Sequence, residues 1–136
     1  MYETFEHTAD LGLRVRAADL DTLFAEAAQG LFAIIVADLD TVEAKEKITF
    51  EIPGPASDLL LFDWLNELLY TYESRRLLLA RFEVHVSEQG LSAVALGEPV
   101  DRARHALEHE IKAITYHALK LERQADGWLA EVIVDI

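Results

Sequence analysis

Along this chain the spacing of hydrophobic residues switches repeatedly between a period of two and a helical period, and the switches mark out its elements. Residues 3–7 and 11–17 read as strands, the second with Leu11, Leu13, Val15 and Ala17 on one face and Arg14 and Arg16 on the other. Thr8-Ala9-Asp10 is the corner between them. From Asp19 the apolar positions Leu20, Leu23, Phe24, Ala27, Leu31, Ile34 and Ile35 follow i, i+3, i+4, i+7 spacing, with Asp19 or Asp21 placed to cap a first helix. Alternation returns from Val42 to Ile52 and stops at Pro53-Gly54-Pro55. Ser57-Asp58 then opens a second helix running to about Glu73, with Leu61, Trp64, Leu65, Leu68 and Tyr72 turned inward. Asp63, Asn66, Glu67 and Tyr70 form a polar row on another side of it, either a solvated face or a contact face. Phe82, Val84 and Val86 alternate with charged residues, a turn follows at Gln89-Gly90, and Leu91–Val100 forms the return strand. Asp126-Gly127 is a strong hairpin signal between a strand near 115–123 and a last one from Trp128 onward. Two helices and six to seven strands predict one α+β domain over residues 1–136 with a mainly antiparallel sheet.

Composition sharpens the picture. With 136 residues, 51% of them hydrophobic, the chain is long enough for one continuous core. It has no cysteine, which excludes disulfides, thiolate metal sites and cysteine nucleophiles and suits a cytoplasmic location. The opening Met1-Tyr2-Glu3-Thr4 carries no basic segment followed by an apolar run, and no apolar stretch is long enough for a membrane span. Asp and Glu number 25 against 12 Lys and Arg, a net charge of −13. Such a field repels nucleic-acid phosphates and attracts basic proteins and divalent cations, so stable direct binding to nucleic acid is not expected.

Glycine-rich phosphate loops, nucleophile elbows and zinc-binding His-Glu-x-x-His helices are all missing from the sequence, which weakens the case for an enzyme. Three polar groupings remain. His7-Thr8-Ala9-Asp10 brackets a tight turn, where a histidine serves either as a turn hydrogen-bonder or as a ligand. His105, Glu108, His109, Glu110, Tyr116 and His117 combine imidazole and carboxylate as acid–base or metal chemistry requires. They also fit a charged loop entering a strand with His117 facing the core beside Leu119 and Leu121. The last strand places Val132, Val134 and Ile136 on one face and Glu131, Ile133 and Asp135 on the other, so that Asp135 projects away from the core beside an α-carboxylate. Oxygen donors held at such a place suit a hard cation; an aspartate that discourages edge pairing is the plainer reading.

Taken in order, Phe5-Glu6-His7-Thr8-Ala9-Asp10-Leu11-Gly12, Trp64-Leu65-Asn66-Glu67-Leu68-Leu69-Tyr70, Glu110-Ile111-Lys112-Ala113-Ile114-Thr115-Tyr116-His117 and Asp135-Ile136 resemble the archease family across nearly the whole chain. The resemblance implies an archease-like fold and an accessory protein with no catalytic residue of its own. It implies a partner, the tRNA-splicing RNA ligase that joins 3'-phosphate or 2',3'-cyclic phosphate ends to 5'-hydroxyl ends. Activation is expected through guanylylation of that ligase and its repeated turnover. A divalent cation is implied as well, calcium first and magnesium or manganese as alternatives, with Asp10, Asp135 and Ile136 as ligands. His7, Glu67, Tyr116 and His117 are the candidates for the functional surface. Two rival classes stand beside this one. A stand-alone metal-dependent phosphohydrolase would use Asp10 and Asp135 as ligands and His7 or His117 as base. A general chaperone would need a large exposed apolar patch, which the periodicity does not predict.

Overall fold

The computed structural model describes residues 1–7 and 9–136; Thr8, and with it part of the expected His7–Asp10 turn, lies outside the described residues. Among the described residues seven strands and two α-helices follow in the order β1 (Tyr2–His7), β2 (Asp10–Ala17), α1 (Leu20–Ile35), β3 (Glu46–Pro53), α2 (Asp58–Arg75), β4 (Leu77–Ser87), β5 (Gly90–Pro99), β6 (Ala113–Gln124) and β7 (Gly127–Asp135). The α+β class and the antiparallel pairing are as expected, but the strands divide into two sheets. One has the order β1-β2-β7-β6 and the other β3-β5-β4.

Helix α1 explains the division. Leu23, Phe24, Ala27, Ala28, Leu31, Phe32, Ile34 and Ile35 are all buried, more of the circumference than a surface helix hides, because α1 packs on β2 of one sheet and β4 of the other. Its first turn is capped by Asp19, whose carboxylate accepts from the Thr22 N–H at 2.8 Å. Ser57 caps α2 in the same way through the Leu60 N–H at 3.3 Å, and Arg76 ends that helix in the left-handed conformation. The Trp64 indole joins the two helices by donating to the Phe24 carbonyl at 3.0 Å from a fully buried position.

Two strand boundaries differ from those the alternation predicts. Strand β3 begins at Glu46 and not at Val42, because Leu39–Thr41 close a 3₁₀ turn to which the Val42 N–H donates. Strand β4 begins at Leu77 and not near Phe82. Leu77, Leu78 and Leu79 are a continuous buried run, and a one-residue bulge at Ala80 resets the pleat before the visible alternation starts. Opposite that run β5 comes very close: a Cβ on Gly97 would lie 1.8 Å from the Leu78 carbonyl oxygen, so only glycine fits.

A larger irregularity lies in β6. Thr115 pairs with Ile133, but the next registered pair is Lys120 with Glu131. Four residues of β6 therefore face the single Val132, and the extra chain, Tyr116–Leu119, is pushed out of the ladder with Ala118 at φ 65°. His117 is exposed there, so the reading that turned it toward the core is corrected: with the ladder broken after Thr115, the two-residue alternation no longer governs its direction.

Candidate functional site

The sheet brings together the two aspartates that the sequence separates by most of the chain. His7 is the cross-strand partner of Asp10, and Ala113 that of Asp135. The β2–β7 ladder ends with Leu11 opposite Val134, so one further step of the same register sets Asp10 against Asp135. The four residues form one row across the end of the sheet. Directly opposed side chains in an antiparallel sheet stand roughly 5 Å apart on the same face, here the one turned away from α1. Lys112 secures the row from outside by donating its N–H to the Asp135 carbonyl at 2.7 Å. His7 is exposed, while Asp10, Asp135 and Ile136 are half-buried.

Behind the row the outward face is held rigidly. Phe5 lies across Gly12, where a Cβ would come within 2.1 Å of the ring, and the Arg14 guanidinium stands 4.5 Å above that ring. Arg14 also donates to Glu131 at 2.6 Å and to Glu3 at 3.1 Å, which raises its pKa further above the ordinary arginine value. Ile133, on the same outward face as Asp135, is nevertheless buried, so this surface is partly apolar and not uniformly solvated.

As a cation site the row offers carboxylate oxygens from two adjacent strands, with the backbone of Ile136 following directly on Asp135. This all-oxygen donor set fits calcium or magnesium better than zinc. It is a partial set. Among the described residues no group of three or more His, Asp and Glu side chains stands in an arrangement able to hold a metal. The remaining positions of a six- to eight-oxygen shell would fall to water or to groups of another molecule.

The other candidates lie elsewhere. Tyr116 leans on α2, its ring edge-on to Phe62 at 5.1 Å and its hydroxyl 3.4 Å from the Asp58 carboxylate. Glu67 is exposed on α2. His105 leaves the proposed acid–base grouping altogether. It is buried, and its Nδ1 accepts the Asp101 N–H at 2.9 Å, which fixes the proton on Nε2 for donation to Glu98 at 3.1 Å.

Glu98, which sequence reasoning passed over, is the most perturbed carboxyl described. Burial pushes its pKa up, but the Glu43 N–H at 2.6 Å, the Arg104 guanidinium and His105 outweigh that effect and hold it at about 2, against an ordinary 4.5. The available signal was an acid inside the apolar segment Val94–Val100 with a histidine seven residues on. The cluster ties the loop before β6 to the end of β5, and the same loop is fastened to α1 by Glu108 N–H to the Ile35 carbonyl at 2.8 Å.

Comparison with known proteins agrees with this architecture. The model of the archease protein family (MTH1598/TM1083) matches residues 2–136. Among curated relatives, the archease of Methanopyrus kandleri is 42% identical over 139 residues, covering 99% of each chain. That of Pyrococcus furiosus is 37% identical, covering 99% of this chain and 98% of its own. The solution structure of Methanobacterium thermoautotrophicum protein 1598 superimposes with a TM-score of 0.87 at 32% identity, covering 99% of this chain and 98% of that one. A crystal structure from Thermotoga maritima, titled an archease and possible chaperone, matches in fold with a TM-score of 0.69 at 23% identity, covering 100% and 98%.

Proposed function

Because this chain belongs to the archease family, we propose that it is an accessory protein that activates a tRNA-splicing RNA ligase in the cytoplasm, with a divalent cation held at the Asp10–Asp135 row. The observation that carries the reading is the strand register. Extended by one pair beyond Leu11 and Val134, that register sets Asp10 opposite Asp135 at the end of the sheet, which supports a shared role for two carboxylates from opposite ends of the chain.

In this reading Asp10 and Asp135 supply anionic oxygens from rigid strands, and Ile136 adds a main-chain oxygen. His7, exposed next to Asp10, is within reach of a phosphate or carboxylate of the partner. When bound, a calcium, magnesium or manganese ion would offset the negative charge that develops on phosphate and pyrophosphate as the ligase is guanylylated. Water or another molecule's oxygens would complete the shell around such an ion. The net charge of −13 supports attraction to a basic, RNA-handling protein more than to RNA itself.

The test is ligase guanylylation with and without wild type, Asp10→Ala or Asp135→Ala, beside calorimetric titration of each with calcium and manganese. Stimulation by wild type, and its loss with cation affinity in both variants, is the expected result. Removing one of two neighbouring like charges at the end of the sheet should change stability by only about 0.5 kcal/mol, so folding and activation should separate. Equal cation affinity in all three proteins, or phosphoester hydrolysis by the isolated chain, would overturn the reading, the latter in favour of the phosphohydrolase.

A further inference from the structure

The sequence reads Asp63, Asn66, Glu67 and Tyr70 as one row on α2, either solvated or a contact face, and the structure shows what stands beside that row. Exposed large hydrophobic side chains include Leu59 at 52% of full exposure, Tyr70 at 66% and Tyr116 at 48%. All three belong to one face, formed by α2 and the β6 bulge. Leu59, Asp63 and Tyr70 follow helical spacing along the solvent side of α2, with Glu67 at its margin. Tyr116 borders this stripe through its contacts with Asp58 and Phe62. Leu59, Asp63, Glu67 and Tyr70 are all exposed, so apolar, aromatic and acidic groups share one side of the helix, a mixture that suits an interaction surface.

A second observation concerns how Tyr116 comes to be there. Ala118 sits at φ 65°, a left-handed conformation costing an L-residue with a Cβ about 1–2 kcal/mol, inside a bulge of an edge strand. The register on its two sides differs by three residues, an odd shift that keeps Ile114 and Leu121 on one face, but a one-residue bulge like that at Ala80 would achieve the same change of phase. Its effect is to carry Tyr116 out against α2 and to leave His117 in solvent. Strain maintained in a bulge that redirects side chains is characteristic of functional surfaces.

The charge of the face selects its occupant. No lysine or arginine occurs between Lys47 and Arg75, so the exposed stripe of α2 carries Asp63 and Glu67 among its aromatic and apolar groups without a compensating cation before its last turn. Guanidinium and ammonium groups pair with such carboxylates and pack on tyrosine rings. A second copy of this chain would bring another net charge of −13 to the contact, and RNA would bring phosphates. We infer that the face formed by Leu59, Asp63, Glu67, Tyr70 and Tyr116 is a docking surface for an arginine- and lysine-bearing patch of a protein partner. It is separate from the aspartate row but continuous with it through β6, whose first residue pairs with Asp135. Identifying that partner as the RNA ligase rests on the function proposed above. The face itself does not.

Two measurements on the full chain test this. In the first, a deca-arginine peptide is titrated into the ¹⁵N-labelled protein, and the amide shifts of Asp63, Glu67, Tyr70 and Tyr116 should move first and furthest. In the second, association with the ligase is measured at low and high salt for wild type, Asp63→Lys/Glu67→Lys, Tyr70→Ala and Asp135→Ala. The first two variants should bind at least tenfold more weakly with an unchanged circular dichroism spectrum, while Asp135→Ala still binds and fails to activate. Peptide shifts centred on another surface, reversal variants that bind the ligase like wild type, or a sedimenting dimer dissolved by Tyr70→Ala would each overturn the docking surface. Failure of wild type to bind the ligase at any salt concentration would overturn the accessory function alone, and the peptide map would then decide the face.

Discussion

Replacing Glu98 by glutamine removes one charge and almost no volume, which makes it a clean probe of the cluster that holds the loop before β6. The carboxylate is 2% exposed and is met by the Glu43 N–H, the Arg104 guanidinium and His105 Nε2, with the Lys45 ammonium 3.7 Å away. A folded-state pKa of about 2 against an ordinary 4.5 corresponds to a stabilisation on the order of 3 kcal/mol at neutral pH. Because Lys45 and Arg104 keep partial access to water, the loss on substitution should be about 2–3 kcal/mol. For a chain of this length that lowers Tm by roughly 10 °C. The pH dependence follows from the depressed pKa. The unfolded chain takes up the proton first, so the contribution is complete above about pH 4.5, is lost as pH falls, and is gone below about 2. By pH 3 more than half of it should have disappeared. Urea unfolding of wild type and Glu98→Gln from pH 7 to pH 2 should show two curves that converge. Hydrogen exchange at pH 7 should show faster exchange at Ala37, Glu108 and His109, whose N–H groups join α1 and its exit to the loop. A stability gap independent of pH, or unchanged protection at those amides, would refute the argument.

Gly97→Ala should be severely destabilising, by 3 kcal/mol or more, since its Cβ would lie 1.8 Å from a backbone oxygen that no side-chain rotation can move; chemical denaturation or soluble yield reads this directly. Ala118→Gly should leave stability unchanged or raise it by up to about 1 kcal/mol, because glycine adopts φ 65° without strain; a marked fall in Tm would show that the left-handed geometry is not strained in this setting.

Much of the architecture was legible because most elements keep a pure period. Helices α1 and α2 announce themselves by apolar spacing and by Asp19 and Ser57 at their caps, and the β6–β7 hairpin by Asp126-Gly127. The failures share a cause, which is local geometry set by tertiary pairing. The bulge at Ala80 shifts the phase of β4, and the extra residues after Thr115 turn His117 outward, although neither departure leaves a glycine or proline to mark it. The division into two sheets was also hidden, because it depends on α1 being buried on several sides at once. Asp10 and Asp135 were legible as chemistry, but their adjacency becomes visible only when β2 is seen to pair with β7. Glu98 was missed because a single acid in an apolar strand looks like an exposed edge residue until its three donors are seen around it.

The excursion in β6 has a consequence for solubility. This twelve-residue strand is an outer member of its sheet, and a straight strand of that length would present a long free row of N–H and C=O groups to any other chain. The excursion cuts the row into a short stretch at Ala113–Thr115 and another at Lys120–Gln124, each too brief to template much pairing by itself. A shortened chain lacking the extra residues would gain a smooth edge, and with it a tendency to associate strand to strand into aggregates, even if its folded core were the more stable of the two.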